Sequence, residues 1–338
     1  MLKKITILLT IILIVISIKT SLFACSRILW KTQPATVSAR TMDLYISDEP
    51  AMVVYPGGIE KDGKAGDNSL KWKSTYGSVV ITGFHNGGTD DGINEKGFAA
   101  HLLYLHGTEY EKRDNRPGVG NSMVVQYFLD NFSTVEEAVK SLDKFQVISA
   151  KIKDREWPVH FAIEDVTGDS AIIEYIKGKI VVHHGPEYKV MTNEPAYDLQ
   201  LENLKKYKLF GGNLPMPGDI DSISRFVRAS SYLKTLPEPK NEIDAAAYIL
   251  GVIRTTAAAF GAKDTSGNEG GDAWPTRWIT VMDMTNLVYY FSATTGPNIF
   301  WVELKNLNLA EGAPVLTLDP HNLKLNGEVS KDFYHFSE

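Results

Sequence analysis

Leu22-Phe23-Ala24-Cys25-Ser26-Arg27-Ile28-Leu29-Trp30 carries the only cysteine among 338 residues and places it where an exported chain is cut. Upstream, Lys3 and Lys4 precede an apolar run over 5–18 that is too short to span a bilayer comfortably. Lys19, Ser21 and the small Ala24 then lead to the expected cleavage point. Residues 1–24 therefore read as a cleaved signal peptide, followed by one domain over 25–338 in the periplasm or outside the cell. Cleavage would leave 314 residues, take away three lysines and no acid, and move the formal charge from −6 to −9. Cys25 would then hold a thiol and a free α-amine on adjacent carbons.

Two other readings of Cys25 compete. Leu22-Phe23-Ala24-Cys25 is similar to a lipobox, and a lipid-anchored, non-enzymatic envelope protein is the reading from another class. Against it, Phe23 is bulky and no flexible Ser/Gly tether follows Cys25. A bland buried thiol is the third reading, and it fits poorly at a newly made terminus.

Outward from Cys25, Ile28 to Trp30 and 36–42 flank a turn at Gln33-Pro34 and read as an opening hairpin. Strand-like runs follow at 51–55, 78–84 and 97–105. Helical periodicity covers 122–132 and 135–145, where Ser133 and Glu136 have capping-box spacing and Val135, Ala138, Val139 and Leu142 share a face. A strand meander is expected at 159–164, 171–176 and 179–184, with a short strand at 188–191. Helices at 196–206, 222–235 and 242–260, the last capped by Asn241, precede a Gly/Asp/Ser-rich loop at 261–275 and closing strands at 277–282, 287–292 and 298–304. Strands and helices come in blocks, which argues against a parallel doubly wound sheet and for two antiparallel sheets with helices outside.

Composition narrows the function further. The acidic balance and the lack of a basic stripe exclude nucleic acid and anionic membrane as partners. No phosphate-binding glycine loop, serine-hydrolase elbow or zinc-ligand spacing is present, and His183-His184 on a strand would point to opposite faces. No metal or cofactor is expected. A thiol with a pKa near 8.5 beside an amine near 8 makes a nucleophile and its own base, given an arginine to favour the thiolate, an acid to hold the amine and donors for an oxyanion.

Those partners come with a resemblance. Cys25-Ser26-Arg27 with Ala39-Arg40-Thr41-Met42-Asp43, Asn94-Glu95-Lys96-Gly97 followed by Tyr104, Thr192-Asn193-Glu194-Pro195 with Asp198 and Gln200, Pro217-Gly218-Asp219 with Ser224-Arg225-Phe226-Val227-Arg228, and Trp278-Thr280-Val281 with Asp283 and Tyr289-Tyr290-Phe291 stand in the order of the choloylglycine hydrolase and penicillin V acylase family. The chain resembles its exported Gram-negative members most. The resemblance implies an α+β, four-layered αββα N-terminal nucleophile hydrolase fold. It implies Cys25 as nucleophile, Arg40 stabilising the thiolate, Asp43 on the α-amine, Tyr104 and Asn193 at the oxyanion hole and Arg225 completing the site. The expected substrate is a small N-acyl amide with an aromatic or fatty acyl group, as in penicillin V or an acyl-homoserine lactone. A bile salt is the alternative, and Tyr104 argues against it, because typical bile salt hydrolases have Asn there. The stretch from Asn193 to Arg225 is shorter than in bile salt hydrolases, so the tetramer-forming hairpin of those enzymes is not expected, and homo-oligomerisation by another route stays open.

Plain readings stand beside these roles. Arg40 and Asp43, three apart on a strand, would face opposite sides, so a bend near Met42 is expected if both reach Cys25. Asn193 also reads as a turn residue, and Arg225, with Arg228 at i+3, as a helix-surface charge. Trp30, Tyr45 and Trp72 read as core.

Overall fold

The computed structural model describes residues 25–85, 87–152, 154–263 and 274–336. The expected signal peptide and most of the expected 261–275 loop lie outside the described residues. Six strands carry the site: β1 (Ser26–Lys31), β2 (Thr36–Asp43), β3 (Gly88–Asn94), β4 (Ala99–Tyr104), β5 (Val159–Glu164) and β6 (Thr276–Asp283). The opening hairpin forms as expected, with Thr32 N donating to Ala35 O across its turn at 2.9 Å.

The first sheet has seven strands in the order Val190–Met191, β1, β2, β6, Val288–Ala293, Phe300–Glu303, Gly327–Glu328. The second has nine, in the order Lys179–His184, Ser170–Ile176, β5, β4, β3, Ser78–Gly83, Ala51–Tyr55, Leu316–Leu318, Tyr334–His335. Every neighbouring pair is antiparallel except Phe300–Glu303 with Gly327–Glu328.

Period-two alternation sorts the side chains into layers. Met52, Val54, Val79 and Ile81 pack in the core that also takes Trp278 and Tyr289 of the other sheet. Val53 and Val80, one position over, pack with Phe128 and Leu129 of α1 (Val124–Asn131). α1 and α2 (Val135–Ser141) thus cover the outer face of the nine-stranded sheet, and α4 (Ser222–Leu233) and α5 (Glu242–Arg254) cover that of the seven-stranded sheet, with α3 (Tyr197–Leu204) against α4. This is the expected αββα sandwich. With both faces of each sheet covered, every residue of β2, β3 and β5 is buried.

Local details differ from the expectation. The capping box at α2 is Thr134 with Glu137, because Glu137 N reaches Thr134 Oγ1 at 3.3 Å and the Glu137 carboxylate returns to Thr134 N at 3.2 Å. α2 stops at Ser141, whose hydroxyl donates to Ala138 O at 2.7 Å, and α5 stops at Arg254, where Thr255 and Thr256 donate back to Val252 O and Ile253 O at 2.7 Å each. Such hydroxyl bonds compete with the helical ladder. Asn241 does cap α5, accepting from Asp244 N at 2.8 Å. Tyr45, expected in the core, is 44 % exposed.

Candidate active site

Cys25 lies directly before β1, at the strand end where the sheet meets a pocket, and is buried. Its Sγ stands 3.9 Å from Arg40 Nη2 and 3.5 Å from the main-chain N of Asp43. Along β2 the side chains alternate as expected. Arg40 faces the other sheet, where Nη1 donates to Asp90 O at 2.7 Å; Thr41 and Asp43 share the opposite face, where Thr41 Oγ1 donates to Asp43 Oδ2 at 3.0 Å. No bend at Met42 is needed. Asp43 meets the thiol through its backbone, and the irregularity sits on β6, where the register slips between Thr276, opposite Asp43, and Trp278, opposite Met42.

Asn193 follows the edge strand Val190–Met191, which pairs with β1, and so comes to the nitrogen of Cys25. Its Oδ1 accepts from Cys25 N at 2.7 Å and from Arg225 Nη2 at 2.9 Å, and its Nδ2 donates to Tyr104 O at 2.6 Å. With three such bonds and 1 % exposure, it is not a mere turn residue. Arg225, in the first turn of α4, is not a surface charge either. It is fully buried and donates to Cys25 O at 2.6 Å, Ser26 Oγ at 2.7 Å and Ile220 O at 2.9 Å. Tyr104 ends β4; its carbonyl holds Asn193, while its ring stands edge-on to Trp157 and Trp274. The other five residues singled out in the sequence therefore gather around Cys25, Tyr104 by way of Asn193.

The electrostatics are those of a site held dry. Burial, reinforced by the Asp43 charge, pushes the Cys25 thiol up to about 11 against the pull of Arg40, the Asp43 N–H and Arg225. Burial likewise raises Asp43 to about 6, with Arg225 and hydrogen bonds from Thr276 and Thr41 opposing it. Among the described residues Asp43 Oδ1 has no hydrogen-bond partner. A buried carboxylate oxygen left without a partner, on a residue close enough to raise the thiol, is poised to take a donor or a cation.

A pocket opens from Cys25, Arg40 and Asp43. Its walls are apolar, from Met42, Leu44, Phe84, Leu102, Trp157 and Trp274, and the Tyr104 ring joins them. Phe84 holds a left-handed backbone, φ 51°, at the turn before β3, where its N–H donates to Asp48 O at 2.5 Å. A bulky residue in that conformation is uncommon, and such positions concentrate at functional sites. The sequence reading missed Phe84, Trp157 and Trp274, and it missed Asp48 and Asp90, two further carboxyls lining the pocket. Only the two acids of Thr89-Asp90-Asp91-Gly92, in the polar, Gly-rich stretch between two strand-like runs, hinted at Asp90. Among the described residues, no group of three or more His, Cys, Asp or Glu side chains is placed to hold a metal ion.

The arrangement joins a buried thiol, a cation on it, a chain nitrogen held by an amide and an aromatic pocket. The model of the choloylglycine hydrolase family, linear amide C-N hydrolases, matches residues 25–324, from this cysteine almost to the end of the fold. The chain belongs to that family. It is 38 % identical over 324 residues to the penicillin V acylase of Pectobacterium atrosepticum, covering 88 % of this chain and 85 % of that one. It is 26 % identical over 301 residues to a bile salt hydrolase/transferase of Clostridium perfringens, covering 80 % and 89 %. The solved structure of penicillin V acylase from Agrobacterium tumefaciens superposes with a TM-score of 0.84 at 36 % identity, over 93 % of this chain and 98 % of that one. Membership in this family makes the chain a linear amide C-N hydrolase, more similar to these penicillin V acylases than to that bile salt hydrolase.

Proposed function

We propose that Cys25 is an N-terminal nucleophile, freed by removal of residues 1–24, and that the enzyme hydrolyses N-acyl amides of the penicillin V or acyl-homoserine lactone kind in the periplasm or outside the cell. The observation that carries this reading is the convergence of Arg40, Asp43, Asn193 and Arg225 on the sulfur, nitrogen and carbonyl of a single residue. While a residue precedes Cys25, its nitrogen is an amide with no basicity and the thiol stays protonated, near 11. Cleavage turns that nitrogen into an amine beside Asn193 Oδ1, and in the proposed mature enzyme it turns toward the unpartnered oxygen of Asp43.

In the proposed reaction the amine takes the thiol proton, and the thiolate, held by Arg40, attacks the amide carbon. The oxyanion takes a hydrogen bond from the second N–H of Asn193 Nδ2, the first being held by Tyr104 O. The α-ammonium gives its proton to the leaving amine as the C–N bond breaks. Water, deprotonated by the amine, then clears the thioester and returns the thiol, releasing the acyl group as a carboxylic acid. The flat aromatic walls favour an aromatic or fatty acyl group over a conjugated bile salt.

Intact-mass analysis of the exported protein tests the first step, and the expected mature mass begins at an unmodified Cys25. A diacylglyceryl group, or a start elsewhere, removes the base and with it the mechanism. Release of amine from penicillin V, an acyl-homoserine lactone and a glycine-conjugated bile salt tests the second step. A clear preference for the bile salt overturns the substrate order.

A further inference from the structure

Asp90 is a bulged residue. Ile81 pairs with Asp91 and Thr82 with Thr89, which leaves Asp90 without a cross-strand partner. Bulges re-aim side chains beside active sites. Here the bulge turns the Asp90 carbonyl to Arg40 Nη1, at 2.7 Å, and the carboxyl packs so closely over Gly83 that a Cβ there would lie 2.5 Å from Oδ2. Asp48 lines the same pocket and comes to it by another route. The Arg40 guanidinium lies over the Trp278 ring at 4.9 Å, and the Trp278 indole N–H donates to Asp48 Oδ2 at 2.7 Å. Asp48 is 1 % exposed, lines the pocket that begins at Cys25, and its Oδ1 has no hydrogen-bond partner among the described residues.

A buried carboxyl oxygen without a partner, on a residue that lines the pocket, is costly, and such an atom calls for a ligand. The neighbouring Arg40 decides what kind. A cationic ligand group would be repelled by the guanidinium, whereas a neutral hydroxyl can give its proton to Asp48 and accept from Asp90. Burial raises Asp90 to about 8, with Asp48 and Asp91 adding to the effect against Arg40, so at neutral pH it holds the proton it would donate. We propose that Asp48 and Asp90 form a subsite for a hydroxyl on the acyl group, so that the enzyme prefers hydroxylated acyl amides to their plain counterparts. This rests on the amidase reading above and narrows its substrate class.

The test uses phenylacetyl amides of one chromogenic amine, unsubstituted or carrying a hydroxyl or a methoxy group at each ring position. For wild type, the best hydroxyl isomer is expected to exceed the unsubstituted amide in kcat/KM by about tenfold, the worth of one hydrogen bond to a charged group, and the matching methoxy compound to fall below it. Asp48→Asn keeps an oxygen for Trp278 and can turn an N–H toward the pocket, so the methoxy penalty disappears and the hydroxyl advantage shrinks to about twofold or less. Each comparison is a ratio within one variant and is insensitive to loss of folded protein. Binding of the corresponding phenylacetic acids, followed by tryptophan fluorescence, gives the same order without turnover. Equal binding and equal rates for hydroxyl and unsubstituted compounds, or a preference unchanged in Asp48→Asn, overturn the subsite. Failure to cleave any amide while the hydroxylated acid still binds preferentially overturns the amidase reading instead and leaves the subsite standing.

Discussion

Two sets of buried charges are built in opposite ways. In one, Glu164 of β5 takes both Arg27, at 3.2 and 2.5 Å, and His101 Nε2, at 2.6 Å; His101 Nδ1 binds Asp91, and Asp91 also accepts from Thr280 Oγ1 at 2.6 Å and Tyr289 OH at 2.7 Å. Burial alone would raise Glu164, yet Arg27 and His101 outweigh it and bring the carboxyl down to about 2. In the other set, Cys25, Asp43 and Asp90 are all pushed up by burial, and Asp43 and Asp48 each keep an oxygen without a partner among the described residues. The paired set holds the sheets in register. The open set leaves groups shifted toward their neutral forms and carboxyl oxygens unpartnered, at a cost to stability.

Cys25→Ala breaks the contrast at its most reactive point. Amide hydrolysis should fall by at least about 10⁴-fold, while the unfolding free energy changes by no more than about 1 kcal/mol. A variant that keeps even a hundredth of wild-type turnover would move the nucleophile elsewhere. Glu164→Ala attacks the paired set and should do the reverse. It leaves Arg27 and His101 buried without their carboxylate and should cost about 3–5 kcal/mol in urea unfolding at pH 7. Because the folded pKa of Glu164 lies below its unfolded value, its contribution is present above about pH 4.5 and is lost as the pH falls toward 2. The variant should therefore lack the part of the wild-type acid unfolding that falls in that window.

Asp43→Asn returns to the open set with a somewhat smaller effect on rate. It should lower kcat/KM by about 10² to 10³, the range for a positioned acid-base partner. In wild type the carboxylate exists above about pH 6 and is protonated below it, so kcat/KM should decline on the acid side there, or lower where the mature ammonium favours the charge. The asparagine variant should show no such limb. An unchanged acid limb would assign it to another group.

The sequence disclosed the open set far better than the paired one. Cys25, Arg40, Asp43, Asn193 and Arg225 stand in short, ordered motifs, so their meeting in one place could be anticipated although each residue type alone fits a surface or a turn. The strand and helix blocks were equally legible, because alternation and a 3.6-residue period follow directly from which faces are covered. Arg27, His101, Asp91 and Glu164 lie in four strands up to 137 positions apart, and nothing local marks them as partners. A buried ionic cluster is a product of tertiary packing. Asp90 escaped for a related reason: its aim depends on a bulge, and in Thr89-Asp90-Asp91-Gly92 the residue types suggest a turn. Tyr45 failed the other way, since an aromatic residue beside a strand reads as core, whereas its ring stands exposed 5.3 Å from Trp274 at the pocket.

The mildest test asks whether the two sets are coupled. Thr280 on β6 pairs directly with Arg40 on β2, so it belongs by position to the open set, yet its hydroxyl bonds Asp91 of the paired set. Thr280→Val keeps shape and strand preference and removes one donor. Asp91 retains Tyr289 on the same oxygen and His101 on the other, so the expected loss is about 1.5 kcal/mol, seen as a shift of the urea midpoint with an unchanged slope. Arg40 keeps its hold on Asp90 O and its place over Trp278, and kcat/KM should therefore stay within about twofold of wild type. A larger fall in rate than in stability would show that Asp91 sets the position of Arg40 through Thr280. The separation between structural and reactive charges would then be a gradient rather than a boundary.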